Sequence, residues 1–174
     1  MKKILYSQDP ENFAGLQDEY SDYKKSKIIV FPIPFDSTAS NQAGQRNAPR
    51  EIIHESVKLE LFDEETKTEV WKKGICTTEY MEPVRGSVEE NNKRIQKTIR
   101  EFLDDGKFVV SLGGDHSITT GVLNAFNEKT GKNFSVLQLD AHSDLHEEFE
   151  GSKYSHACIA NNALKQAKSV VQVG

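Results

Sequence analysis

Four short apolar runs punctuate the chain, and amphipathic or polar stretches separate them. The runs are Ile28-Ile29-Val30-Phe31, Phe108-Val109-Val110-Ser111-Leu112, Phe134-Ser135-Val136-Leu137-Gln138-Leu139 and Val170-Val171-Gln172-Val173. Continuous runs of this length predict strands of a parallel sheet, buried on both faces. Pro32 and Pro34 end the first run, because proline cannot donate to a sheet ladder. A polar loop from Ser37 to Asn47 follows, then a helix with Pro49 in its first turn and Ile53, Val57 and Leu61 on one face, Ile52 beside them. Thr68-Glu69-Val70-Trp71 reads as a strand fragment before a turn at Lys72-Lys73-Gly74, with Trp71 a packing residue.

The next helix has the clearest signal. Ser87 and Glu90 form a capping box, Val88, Ile95, Ile99, Phe102 and Leu103 form the buried stripe, and Gly106 ends it. Its Lys93, Arg94 and Lys97 read as a solvated face. Two further helices are expected, from about Ile118 to Phe126 and from about His156 to Ala167. Residues 1–26 read as a polar arm with Tyr20 and Tyr23 packed on the surface, and residues 27–174 as one α/β core. Strands alternating with helices predict a three-layer αβα architecture with a mostly parallel sheet. In such folds ligands bind beyond the carboxyl ends of the strands.

Two of the runs end in chemistry. Phe108–Leu112 leads into Gly113-Gly114-Asp115-His116-Ser117, and Phe134–Leu139 leads into Asp140-Ala141-His142-Ser143-Asp144. If the two runs are neighbouring strands, His116, Asp140, His142 and Asp144 emerge at one sheet edge. Asp140, His142 and Asp144 have the period-2 spacing that puts side chains of an extended segment on one face. Mixed imidazole and carboxylate donors suit a first-row divalent cation, with carboxylate-rich sets leaning towards manganese. Zinc more often recruits thiolates or three imidazoles, and Cys76 and Cys158 stand far apart. The plain alternative is that Asp140 and Asp144 cap a following helix and both histidines are surface residues. Gly113-Gly114 permits positive φ and close backbone approach. Asp115 or Ser117 is placed to cap the following helix, or Asp115 to orient His116.

These motifs together resemble the ureohydrolase family, which includes arginase, agmatinase and formimidoylglutamase. Ser155-His156-Ala157-Cys158 is similar to the segment carrying the family's active-site histidine. Ile33-Pro34-Phe35-Asp36 and Gly44-Gln45-Arg46-Asn47-Ala48-Pro49-Arg50 resemble its N-terminal pattern. The resemblance spans roughly residues 28–174. It implies an arginase-like fold and a binuclear Mn2+ site whose hydroxide attacks a guanidinium carbon and releases urea. By the same carry-over His116 and Asp144 serve one ion, His142 the other, and Asp140 bridges them. His156 is the proton relay, with Asp144 also counted among the catalytic residues.

Glu150 to Cys158 reads more like agmatinase than arginase, so the expected substrate is agmatine, converted to putrescine and urea. The acidic Glu147-Glu148-Phe149-Glu150 loop would favour such a small cationic guanidine, although a solvated turn explains it equally well. Formimidoylglutamate, guanidinobutyrate and arginine are the alternatives within the same chemistry. The family's third motif, an Asp-x-Asp pair, does not follow Asp144, so the chain reads as the N-terminal portion of a single arginase-like domain. A catalytically inactive fragment is therefore a further alternative. The family also implies a homo-oligomer, trimeric or hexameric.

Composition adds bounds. The 174 residues carry 22 basic and 27 acidic side chains, a formal charge of −5, with no basic stripe to bind nucleic acid. Met1-Lys2-Lys3-Ile4-Leu5-Tyr6 starts like an export signal, but its apolar stretch is too short. No run approaches the ~18 residues of a membrane span. Two distant cysteines fit reduced thiols, so a cytoplasmic setting is expected.

Overall fold

The structure is a computed structural model that describes residues 11–174. The export-signal reading of Met1–Tyr6 and the first part of the arm lie outside the described residues.

Three strands pair in parallel. β1 (Ile28–Ile33) lies between β2 (Ile75–Thr77) and β3 (Phe108–Gly113), with Ile28 opposite Ile75 and Phe108, and Ile33 opposite Gly113. Alternation sends Ile29, Phe31 and Ile33 to one face, where they meet Ile95, Ile99 and Phe102 of α3 (Val88–Asp104). Val30 points the other way, against Leu16 and Ile75, with Phe13 and Tyr20 packed alongside. The described part of the arm, residues 11–26 with the short α1 (Asp18–Ser21), therefore packs Phe13, Leu16 and Tyr20 on the sheet's second face. Tyr23 is tied down by its hydroxyl, which donates to Asp105 at 2.6 Å.

α4 (Thr119–Thr130) packs closely on α3. A Cβ at Gly121 would stand 2.7 Å from the Asn92 carbonyl oxygen and 2.8 Å from the Ile95 Cβ, so the close approach requires glycine. α5 (Ile159–Gln166) continues the layer beside α4. β4 (Ser135–Leu139) and β5 (Ser169–Val173) form a second parallel pair, Ser135 opposite Ser169 and Leu139 opposite Val173.

Several expectations need correction. β3 and β4 are not hydrogen-bonded neighbours among the described residues. A cleft of about 490 Å3 lies between them, lined by Ser111, Gly113, Val136, Gln138 and Ile159. β4 and β5 are not buried on both faces: Leu137 and Leu139 are 63 % and 75 % exposed, and their partners Val171 and Val173 are exposed with them. α2 (Ala48–Ser56) stops before Val57 and Leu61, which are exposed, and only Ile53 of the expected stripe is buried. Thr68–Trp71 is not a strand; Val70–Lys73 is a 3-10 turn, with the Trp71 ring edge-on to Tyr20 at 4.7 Å. Among the described residues no helix is long and apolar enough to cross a membrane.

Candidate metal centre

The first half of the centre is built by the glycine pair after β3. Neither Gly113 nor Gly114 has positive φ, so their role is space and not backbone freedom. A Cβ on Gly114 would stand 2.0 Å from the Phe35 carbonyl oxygen. The close approach lets the Asp115 N–H donate to that oxygen at 2.8 Å. Asp115 then caps the 3-10 turn His116–Ile118 by accepting the Ser117 N–H at 2.9 Å and the Ser117 hydroxyl. It does not orient His116; its other oxygen accepts the Thr38 N–H at 2.9 Å.

The second half comes from the tip of β4. Asp144 is buried and sits at φ +48°, in the left-handed region that a non-glycine residue seldom occupies. Its carbonyl accepts from Ala160 N–H at 3.0 Å and Asn161 N–H at 3.3 Å, capping the first turn of α5. That anchored turn aims its carboxylate back at the β3 loop. His116 Nδ1 lies 2.9 Å from Asp144 Oδ2 and 3.3 Å from Asp140 Oδ2. One donor atom from each of His116, Asp140 and Asp144 falls within 4.8 Å of the others. Donors on adjacent corners of an octahedron with bonds of ~2.1 Å stand ~3.0 Å apart, close to the 2.9 and 3.3 Å from His116 Nδ1 to the two carboxylates. No thiolate takes part, in keeping with an oxygen-preferring ion.

His142 stands apart from the trio. Its backbone N–H donates to Asp140 Oδ1 at 2.8 Å, and this bond holds the Asp140 carboxyl below its ordinary range against the opposing effect of burial. Its ring is 83 % exposed, with Nδ1 3.3 Å from Asp140 Oδ1. The shared face expected for Asp140, His142 and Asp144 is therefore not formed, although His142 stays beside Asp140.

Sequence reasoning missed Gln138. It is buried in β4, two residues before Asp140, and its amide donates to Asp140 Oδ2 at 3.2 Å. Gln172 of β5 donates to the Gln138 carbonyl at 3.2 Å and holds it in place. The signal was a single polar residue in phase with Asp140 inside an apolar run.

His156 opens onto the same cleft, of about 770 Å3, as Asp140, His142 and Asp144. The facing wall is the loop carrying Ala39, Ser40, Asn41 and Gln45. Asp36 cinches that loop: it accepts the Gly44 N–H at 2.9 Å and the Arg46 N–H at 3.3 Å, and pairs with the Arg46 guanidinium at 2.8 Å. Phe149 packs between the rings of His146 and His156, at 5.4 and 5.6 Å, and Glu148 and Glu150 beside it are exposed.

Comparison with known proteins bears on the fold and its family. A sequence profile of the Arginase family matches residues 26–174. The N(1)-aminopropylagmatine ureohydrolase of Synechocystis sp. is 34% identical over 92% of this chain and 54% of its own length. That of Thermus thermophilus is 38% identical over 87% of this chain and 52% of its own. The crystal structure of agmatine ureohydrolase of Thermoplasma volcanium superposes with a TM-score of 0.79 at 31% identity, covering 90% of this chain and 54% of that one. The chain thus spans about half the length of the curated relatives it matches.

Proposed function

The chain belongs to the arginase family, and on that footing we propose that it carries the first half of a ureohydrolase centre that hydrolyses the guanidino C–N bond of an agmatine-type cation. The observation that carries this reading is the convergence of His116, Asp140 and Asp144 from two strand tips. These three would hold a first cation, and His142, beside Asp140, would supply a ligand for a second, with Asp140 serving both. Manganese, when bound, supplies positive charge that acidifies water and stabilises the charge developing on the substrate.

The remaining roles belong to the protein's own groups. His156 lines the same cleft outside the ligand trio, and its ring moves the proton to the leaving amine. The loop 36–47 walls the substrate on the opposite side. Exposed Glu148 and Glu150, which flank the Phe149 that packs on His156, favour a polycation over a carboxylate. Agmatine, giving putrescine and urea, is one substrate of this type. N(1)-aminopropylagmatine is the second reading, favoured because curated relatives at 34% and 38% identity carry that name. The same proposal holds a single partial arginase-like domain, with residues 1–26 as its arm. It also holds a homotrimer or homohexamer, a cytoplasmic setting and a place in polyamine biosynthesis, each resting on the family resemblance.

The test is calorimetric titration of the chain with Mn2+, followed by urea assays on agmatine and N(1)-aminopropylagmatine. Bound manganese that is lost in Asp140→Ala, and urea from one of the two substrates, is the expected result. An His156→Ala chain should keep its metal and lose turnover. Metal-loaded protein that releases urea from neither substrate would overturn the agmatine-type reading and leave another ureohydrolase substrate or the inactive fragment. Failure to bind manganese at all would remove the metal centre itself.

A further inference from the structure

The loop 36–47 does more than wall the cleft: it reaches both nitrogens of the His156 ring. Thr38 Oγ1 lies 3.3 Å from Nδ1, and Ser40 Oγ lies 3.2 Å from Nε2. Thr38 Oγ1 also accepts the main-chain N–H of His156 at 3.1 Å. On the near side, Ser155 Oγ faces Nδ1 at 3.3 Å. Two hydroxyls therefore converge on Nδ1 and one on Nε2.

Proton counting together with burial selects the tautomer. A hydroxyl has one hydrogen to donate and two lone pairs to accept with. Thr38 already accepts from the His156 main chain, which leaves its hydrogen free for Nδ1. Either tautomer leaves two hydroxyl hydrogens without the ring: with Nδ1–H these are the hydrogens of half-buried Thr38 and buried Ser155, whereas with Nε2–H one of them is that of exposed Ser40, which solvent accepts. With Nδ1 unprotonated, Thr38 or Ser155 donates to it, and Nε2–H donates to Ser40. Thr38 is in turn held by Asp115, whose carboxylate accepts the Thr38 N–H at 2.9 Å while its other oxygen is fixed on Ser117. Asp115 thus joins the turn that presents His116 to the loop that orients His156.

We propose that Thr38 and Asp115 are positioning residues: Asp115 docks the loop so that the Thr38 hydroxyl donates to Nδ1 of His156 and fixes the ring as its Nε2–H tautomer. The functional consequence rests on His156 being the proton-transfer group; the tautomer itself does not. The ring then presents a defined Nε2–H, and each proton it exchanges passes at that nitrogen or at the Ser40 hydroxyl beside it.

Long-range 1H–15N correlation spectra of the full chain at neutral pH, without metal or substrate, report the tautomer directly; His156→Gln assigns the signal. Wild type and Thr38→Ser should show the Nε2–H form. Thr38→Val in a Ser155→Ala background, which removes both hydroxyls facing Nδ1, should lower the ratio of Nε2–H to Nδ1–H roughly five-fold, the worth of one hydrogen bond. In that background Asp115→Asn, which turns an amide against the Thr38 N–H, should move the same signal in the same direction and keeps the idea testable should Thr38→Val not fold. In an active chain Thr38→Val should lower kcat and leave KM within about two-fold. An unchanged wild-type tautomer in both variants overturns the proposal, as does an Nδ1–H form in wild type. Loss of urea release with the tautomer intact would instead count against the proposed function.

Discussion

The two glycines after β3 look equivalent in sequence but should tolerate alanine very differently. Neither has positive φ, so alanine meets no backbone strain at either site. What differs is the neighbour each new methyl meets. At Gly113 the Cβ would stand 2.1 Å from Ile118 Cδ1, the free end of a flexible side chain. A changed χ2 relieves that contact at about 0.5–1.5 kcal/mol. The smaller unfolded-state entropy of alanine returns about 0.4–1 kcal/mol. Gly113→Ala should therefore cost about 0–1 kcal/mol. At Gly114 the Cβ would stand 2.0 Å from the Phe35 carbonyl oxygen, 2.9 Å from its carbon and 3.2 Å from the Arg46 nitrogen. Backbone lies on both sides, and no rotamer change helps. Overpacking of this kind costs about 1–3 kcal/mol. Pushing Phe35 away also breaks its 2.8 Å bond from the Asp115 N–H, worth about 1 kcal/mol. Gly114→Ala should cost about 3 kcal/mol and weaken manganese binding, because it moves the turn that presents His116. Urea denaturation followed by circular dichroism, with m-values compared, measures both. If Gly114→Ala were no less stable than Gly113→Ala, the argument from close approach would be wrong.

Three further outcomes follow from burial and charge. Burial alone raises the pKa of Asp36, but the Arg46 side chain and the N–H groups of Gly44 and Arg46 outweigh it and hold the carboxyl below its ordinary range. A lowered folded pKa means stabilisation that is complete above the unfolded value of ~3.9 and lost as pH falls below it. Wild type should thus exceed Asp36→Asn by about 1–2 kcal/mol at pH 6, with the difference shrinking below pH ~4; a difference that grew on acidification would contradict the assignment. Burial pushes the Cys76 thiol up to about 12, and raises that of Cys158 as well. Both should resist Ellman's reagent at pH 8 until the chain unfolds, and rapid labelling of native protein would refute their burial. Ile95 is fully buried and Val57 is 46 % exposed. Ile95→Ala should cost about 2–5 kcal/mol and Val57→Ala about 0.5 or less; equal losses in thermal or urea melts would place Val57 in the core after all.

The sequence was most legible where one physical rule acts alone. β1 and β3 to β5 were visible because strand formation needs only a short apolar run, and α3 because its capping box and stripe agree. β2 was not, since Ile75-Cys76-Thr77 is too short to carry a pattern and owes its strand form to pairing with β1. The stripe through Val57 and Leu61 misled because Ser56 returns its hydroxyl to the Ile53 carbonyl at 2.6 Å and the helix stops there. Which strands become neighbours was not written in either run. An apolar segment records that it is covered, not by what, and β3 and β4 face a cleft where pairing was expected.

The fate of His142 has the same kind of cause. Period-2 spacing puts side chains on one face only while the backbone stays extended. β4 ends at Leu139, so Asp140 already lies beyond the strand, and by Asp144 the chain has entered the left-handed region. Over that stretch alternation no longer measures direction. The ring of His142 turns out to solvent, while Asp144 is brought back by the cap its carbonyl makes on α5. The residue that does share a phase with Asp140 is Gln138, one step back inside the strand, where the rule still applies, and its amide is found on the carboxylate. Two residues of the Asp-x-His-x-Asp motif, Asp140 and Asp144, do meet His116. The geometry came from a helix cap and a strained turn, and Ala160 and Asn161, which accept neither metal nor substrate in this reading, set where the Asp144 carboxylate points.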